Sequence, residues 1–496
     1  MSSICSFTEQ IVEEDKGDDP EAVAAGYSVF TGKEPEGLQG EGSSSSNSCL
    51  DRISGLPDEI LVKILSALAL EEAVRTAVLS NRWKDLWKSA VTILDFEAPT
   101  KLEQIQDIFG TPREELQRLQ EEHRRWFIDW VNGVVTQLQE HNSCAPKLSK
   151  FRVCFNLCKA CNYRGDIDEW LEFAISKGVE YLELSFNLYY ELGTWDRKCY
   201  RFSQDCSRHI KTPTGLANIK SLRSLRLCSV DVKGELLQHL ISNCPLLEEL
   251  VVHKSSLLRT LKVVGSLTSP IPLKHLELTH CQHLQSLEID HAPHLAHLTH
   301  EGHQGVELRV DNCARLVDVN FVCQSIPGSM IQSFCRYAGQ LESLTLELSY
   351  GGLSFPDVGE LHLKWLTLRL HASKDDSMLG MIPLIDACPR LQKLTVKLHT
   401  DTGNQCRRYR HVKKCRESIK VVEIVGFSGY HVDCEFVDYV LEHYVGLETI
   451  VIDRGLTTPF KGRLTNYCGE EQANIARKLA LELKSKASRS VEFVVI

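Results

Sequence analysis

Long apolar runs are missing from this chain: nowhere in its 496 residues do about eighteen apolar side chains follow one another. No membrane-crossing helix is expected. A basic excess is missing as well. The formal net charge is −10, whereas nucleic-acid binding needs a basic footprint for the phosphates, so nucleic acid is not an expected partner. The first residues show no basic stretch followed by an apolar one, and no secretory signal is read there. Neither a Gly-rich phosphate-cradling loop nor a nucleophile elbow occurs, and 19 cysteines with 19 histidines leave any single Cys/His pair without catalytic meaning. The expectation is a non-catalytic chain without a cofactor.

What is abundant is leucine at a fixed spacing. An apolar residue, two variable ones, an apolar one, one variable and an apolar one recur as Leu222/Leu225/Leu227, Leu247/Leu250/Val252, Leu258/Leu261/Val263, Leu273/Leu276/Leu278 and Leu284/Leu287/Ile289. Weaker copies run through Leu295/Leu298/His300, Leu308/Val310 and Leu316/Val319/Phe321, and strong ones return from Leu341/Leu344/Leu346 to Leu447/Ile450/Ile452. Degenerate copies precede them at Val91/Leu94/Phe96, Leu148/Phe151/Val153 and Val179/Leu182/Leu184. This is the leucine-rich-repeat spacing: one short strand per copy, with apolar side chains stacked inward. The late copies begin about 22 to 28 residues apart, room for a strand and a helix, and 234–244, 378–388 and 434–444 carry helical spacing. Between Leu273 and Leu316 the step is about eleven residues, enough for a strand and a turn and too short for a helix. The middle should therefore have a thin outer wall, looped or stranded. Cysteines scattered over so long a chain are expected to be reduced and buried as small apolar residues.

Residues 51–89, DRISGLPDEILVKILSALALEEAVRTAVLSNRWKDLWKS, read as three short helices. Leu56-Pro57 enters the first, with Asp58 and Glu59 in its first turn, and Ile60, Leu61, Ile64, Leu65 and Leu68 recur at helical spacing. Trp83, Leu86 and Trp87 mark the third helix. Forty residues cannot enclose all of these apolar side chains, so part of the face should be completed by something else. In type, order and spacing the stretch resembles the F-box, the hook by which substrate receptors dock on a Skp-type adaptor. The resemblance implies a cullin-RING ubiquitin ligase beyond that adaptor, and Leu56, Pro57, Ile60, Leu61, Ile64, Leu65, Val78, Trp83 and Leu86 as the docking residues. Near the other end, Leu384 to Leu391, Ile419 to Ile424, Gly426-Phe427-Ser428-Gly429 and Leu447 to Asp453 resemble the FBD-type ending of plant F-box/leucine-rich-repeat proteins.

The fold class read from all this is α/β: a three-helix F-box followed by a curved leucine-rich-repeat solenoid with short helix-free repeats in the middle. The segments are an acidic, Ser-ending leader at 1–48 expected to be disordered, the F-box at 49–92, a helical connector at 93–146, the solenoid at 147–380 and FBD-like repeats at 381–496. In the connector, Leu116, Leu119, Trp126, Trp130 and Val134 share one helical stripe. The expected function is substrate recognition for a Skp-cullin-F-box ligase, in the nucleus or cytoplasm. A small-molecule-dependent receptor and a scaffold without a ligase role are the alternatives. Target-facing residues are read from the positions flanking the inward ones: Glu277, Glu288, Asp290 and Arg309 in the middle, then Trp365, Arg369 and Lys393. Histidines at 280, 283, 291, 294, 297, 300 and 303 raise the question of a metal, with His280/His291 and His283/His294 stacking at an eleven-residue step; no metal is assigned. Cys154, Cys158 and Cys161 read as strand thiols. The run Cys406 to Arg416 reads as a surface loop, an import signal or a phosphate site.

Overall fold

A computed structural model describes residues 53, 55–97, 113–140, 147–157, 160–186, 199–202, 219–302, 306–322, 337, 339–349, 360–373, 377–401, 416–454 and 470–496. The leader at 1–48, Cys158, His303 and residues 406–415 lie outside these. The chain divides into two compact units at Ser224–Leu225, small exchanges within 190–204 aside.

The first unit opens with α1 (Asp58–Leu65), α2 (Leu70–Arg75), a 3-10 turn (Thr76–Val78) and α3 (Asn81–Ala90). Strand β1 (Ile93–Glu97) follows at once, so the helical connector expected over 93–146 opens on the strand of the degenerate copy Val91/Leu94/Phe96. The helix α4 (Arg113–Glu140) leads to β2 (Lys150–Cys154), α5 (Arg164–Ser176) and β3 (Tyr181–Ser185). The three strands are parallel, and their registers align Leu94, Phe151 and Leu182 in one inward row and Phe96, Val153 and Leu184 in the next. The degenerate copies are thus genuine rungs. Aromatic side chains of α4 cover them: Trp130 meets Phe96 edge-on at 5.2 Å, and Phe127 stacks on Phe155 at 4.0 Å.

The second unit is the repeat array. After β4 (Tyr200–Phe202), the chain forms β5 (Ser224–Cys228), β6 (Val230–Val232), α6 (Gly234–Asn243), β7 (Glu249–His253) and β8 (Thr260–Val264). There follow β9 (His275–Thr279), β10 (Ser286–Asp290), β11 (His297–Glu301), β12 (Glu307–Asp311) and β13 (Asp318–Val322). Longer strands come next: β14 (Ser343–Ser349), β15 (Trp365–Ser373) and β16 (Lys393–Asp401), with a 3-10 turn (Met378–Met381) and α7 (Ile382–Asp386) between the last two. The array closes with β17 (Val421–Val425), α8 (His431–His443), β18 (Thr449–Asp453), α9 (Glu470–Lys486) and β19 (Glu492–Val495).

The principal sheet runs β5-β7-β9-β11-β13-β14-β15-β16-β17-β18-β19, and β8, β10 and β12 form a second sheet of their own. Consecutive eleven-residue copies therefore do not lie side by side. They alternate between two walls, and neighbours in one sheet are two copies apart: Leu276 aligns with Leu298, and Leu287 with Leu308. Eleven residues make half a turn of this coil. The thin outer wall of the middle is stranded, and helices α6, α7 and α8 stand near the positions where helical spacing was read. The α6 helix packs on β8, and Gly234 allows the approach, because a Cβ there would lie 1.7 Å from the Thr260 carbonyl oxygen. Strand β19 was not anticipated; its inward Phe493 aligns with Ile450.

Corners follow a rule that also explains two histidines. Ser229, Lys254, His280, His291 and Asn312 each come directly after a strand and have positive φ. Asn and His are among the side chains that tolerate this left-handed region. His280 and His291 are corner residues on opposite walls, which corrects the expected eleven-residue stacking: the ring beside His280 is that of His253, with centroids 4.9 Å apart, and His275 lies beside His297 at 5.9 Å. The inward rows are almost wholly apolar and buried, as in Leu250/Val252, Leu366/Leu368 and Val422/Ile424. The exception is His300, aligned between Leu278 and Phe321 and fully buried.

Candidate functional site

Two surfaces bear on function. In the three-helix segment, each helix turns one stripe inward: Leu61 and Leu65 from α1, Leu70, Ala73 and Val74 from α2, and Trp83, Leu86, Trp87 and Ala90 from α3 are buried. The apolar residues left over are outside. Ile60, Ile64 and Leu68 repeat every four residues along α1 and the turn after it, 43%, 42% and 38% exposed, while Val78 and Leu79 are 42% and 64% exposed. Six of the sixteen large apolar side chains exposed among the described residues, Ile53 included, belong to this short stretch. An uncovered apolar set of this density marks an interaction face.

Of the nine docking residues expected, only part can touch a partner directly. Ile60, Ile64 and Val78 are exposed, Pro57 is exposed beside them and Leu56 is half-buried. Leu61, Leu65, Trp83 and Leu86 are corrected to core: Trp83 is 4% exposed and holds α3 to the rest. Leu79 and Arg82 belong to the stretch that matches the F-box pattern but stand outside the nine expected docking residues. Leu79 follows the 3-10 turn, whose phase cannot be counted from a helical period. The Arg82 guanidinium donates to Asp58 Oδ1 at 2.8 Å and to the Leu56 carbonyl at 2.6 Å, fixing the Leu56-Pro57 entry against α3.

The second surface is the outward face of the principal sheet. Glu277 on β9, Trp365 and Arg369 on β15 and Lys393 on β16 lie there, and Trp365 is 46% exposed. Glu288, Asp290 and Arg309 belong to β10 and β12 and so to the other wall, which corrects their assignment to one target-facing surface. Local pairs order the face. Glu277 sits beside the His275 ring at 3.4 Å and is held below the usual carboxylate range by it. Lys393 pairs with Glu423 at 2.9 Å and lowers that carboxyl likewise. Arg369 reaches Glu301 at 3.8 Å, and the His371 ring meets Glu347 at 2.9 Å. Among the described residues no group of three or more metal-ligating side chains converges. The buried thiols of Cys244, Cys281 and Cys313 are pushed by burial up to about 12, 11 and 12, far from the thiolate a metal or nucleophile needs.

Comparison with known proteins agrees with both halves. The F-box domain model matches residues 53–92, and the model described as At1g61320/AtMIF1, LRR domain matches residues 137–494. The chain belongs to the F-box/leucine-rich-repeat proteins. Among its relatives in Arabidopsis thaliana, the F-box/FBD/LRR-repeat protein At5g22660 is 25% identical over 409 residues, 76% of this chain and 83% of the relative. The F-box/LRR-repeat protein At3g03360 is 28% identical over 263 residues, 48% of this chain and 46% of the relative. The FBD-associated F-box protein At4g10400 is 34% identical over 217 residues, 42% of this chain and 46% of the relative. The exposed apolar set Ile60, Ile64, Leu68, Val78 and Leu79 therefore lies within the F-box, and the sheet of β7 to β19 lies within the leucine-rich-repeat domain.

Proposed function

We propose that this F-box/leucine-rich-repeat protein is the substrate-recognition subunit of a Skp-cullin-F-box ubiquitin ligase, working in the nucleus or cytoplasm. The observation that carries the reading is the split of the F-box apolar residues. One set closes the domain's own core, and a second set, Ile60, Ile64, Leu68, Val78 and Leu79, stays in water at a cost of roughly 25 cal/mol per Å² of apolar surface. A partner that covers the second set removes that cost. A Skp-type adaptor is that partner, and the repeats hold a target protein. The chain contributes no chemistry. It raises the effective concentration of the target at the ligase, so that other subunits transfer ubiquitin to a tethered substrate.

The test is capture of the full chain by a purified Skp-type adaptor, with Ile60→Ser and Leu79→Ser as variants. Both side chains are exposed, so the melting curve should not move, whereas adaptor affinity should fall by at least tenfold per substitution. Unchanged capture by both folded variants would refute docking through this face. Trp83→Ala is unsuitable, since a buried tryptophan reports folding.

A further inference from the structure

The register of the principal sheet assembles a feature that no single repeat shows. In the central outward row, Thr299, Asn320, Thr345, Thr367 and Thr395 lie on five adjacent strands, β11 to β16. Glu277 on β9 and Glu423 on β17 end the row. Thr299, Asn320, Thr345 and Thr367 are half-buried, while Thr395 is buried with its hydroxyl donating to Glu423 Oε2 at 3.2 Å, so the part of this polar floor open to a ligand runs from β11 to β15. Longer side chains rise on either side at β15 and β16: Trp365 and Lys393 in one flanking row, Arg369 and Lys397 in the other. Short side chains between longer ones make this row the trough of the face, and the hydroxyls of Thr299, Thr345 and Thr367 can both donate and accept, as the backbone of an extended peptide requires.

Charge is unequal along it. The outward positions of β7, β9, β11 and β13 carry Glu249, Glu277, Glu301 and Asp318 and no lysine or arginine. From β14 to β17 the described outward side chains include Arg369, Lys393 and Lys397 against Glu347 and Glu423. Lys397 is exposed, and so is the indole of Trp365 between the lysine end and the threonine floor. From β9 to β16 there are five strand spacings, about 24 Å at about 4.8 Å each. An extended chain covers that distance with about seven residues.

We propose that this trough binds an extended segment of a target protein, about seven residues long, with acidic side chains over β15 and β16, an aromatic or large apolar side chain on Trp365, and a basic side chain over β9 and β11. On the receptor reading given above, this is the recognition element of the ligase substrate. Backbone hydrogen bonds to the threonine row supply register, the indole supplies the apolar anchor, and the two charged ends set direction and exclude segments of the opposite polarity.

The experiment uses the full chain and a phage-displayed library of random twelve-residue peptides. Retained peptides should carry an acidic pair and a basic residue about five to seven positions apart, with an aromatic between them. Retention should fall at least tenfold for Lys397→Glu, for Trp365→Ala and for Thr367→Arg, which fills the floor. Adaptor capture and the melting curve of the same variants should be unchanged, as expected for surface positions. Failure to enrich any peptide, enrichment without this charge order, or peptides retained equally by all three variants would overturn the trough. Because adaptor capture is read separately, loss of the ligase reading through Ile60→Ser and Leu79→Ser would show itself with peptide binding intact, and the converse failure is equally visible.

Discussion

The F-box and the central repeats solve the same problem in opposite ways. The F-box has more apolar residues than its three helices can enclose and leaves Ile60, Ile64, Leu68, Val78 and Leu79 in water. Between β9 and β13 the inner rows are enclosed so completely that even a histidine, His300, is fully buried. The difference comes from geometry. A coil with strands on both walls gives each inward residue a neighbour on either side, whereas three short helices bury one stripe each and leave the opposite side of α1 and the 3-10 turn uncovered. An excess apolar residue in the F-box therefore points to a partner, while a polar residue inside the coil is a stability defect that the stacked neighbours support.

Substitutions can break or sharpen that contrast. The largest effect is expected from Trp87→Ala: Trp87 is fully buried, and its loss should destabilise the F-box by about 3–5 kcal/mol, read as a separate early transition in limited proteolysis. Survival of protease resistance would mean that the F-box core is looser than its packing indicates.

Next comes pH. Burial lowers the imidazoles of His300 and His253 from 6.5 to about 4. The unfolded chain then binds more protons than the folded one between those values, so stability is full above about pH 6.5 and is lost as pH falls toward 4, by up to about 1.4 kcal/mol per pH unit and histidine. Asp433 acts in the opposite sense, because burial raises its carboxyl to about 6 and the folded state takes up that proton first, which offsets part of the loss. His300→Leu should raise stability by on the order of 2 kcal/mol below pH 6 and flatten the slope by one proton. Urea unfolding at pH 5 and pH 7.5 reads both; an unchanged slope would show that His300 is solvated in solution.

A smaller effect is expected at Arg82, whose guanidinium is partly exposed. Arg82→Ala removes the bonds to Asp58 and to the Leu56 carbonyl, and should cost about 1 kcal/mol in thermal unfolding and weaken adaptor capture by loosening the Leu56-Pro57 entry. Smallest of all, Ile60→Ser and Leu79→Ser should shift stability by less than about 0.5 kcal/mol, since neither side chain is in the core.

Much of this was legible in the residues. The LxxLxL spacing located nearly every inward pair, from Leu94/Phe96 through Ile450/Ile452, because a strand's side chains alternate with period two whatever surrounds them. Helix in the late connections followed from their length and spacing. Less legible was which F-box residues stay exposed: Leu61 and Ile60 are equally apolar neighbours on α1, and only packing against α3 decides that the first is buried and the second is not. β19 was missed because a 43-residue interval separates its Glu492 partner row from Thr449 and breaks the repeat period that flagged the others.

By itself, the sequence determined which side chains face inward, where helices can form, and that a stretch of about forty residues holds more apolar side chains than it can enclose. These depend on local periodicity and on surface-to-volume limits, which any folded arrangement must respect. Tertiary structure alone decided which wall each eleven-residue copy joins, and so removed Glu288, Asp290 and Arg309 from the face that holds Glu277 and aligned five Thr and Asn side chains from separate repeats into one row. The physical reason is that alternation fixes the side of a strand, while the partner of that strand is fixed by how far the chain must travel before it can return to the same sheet.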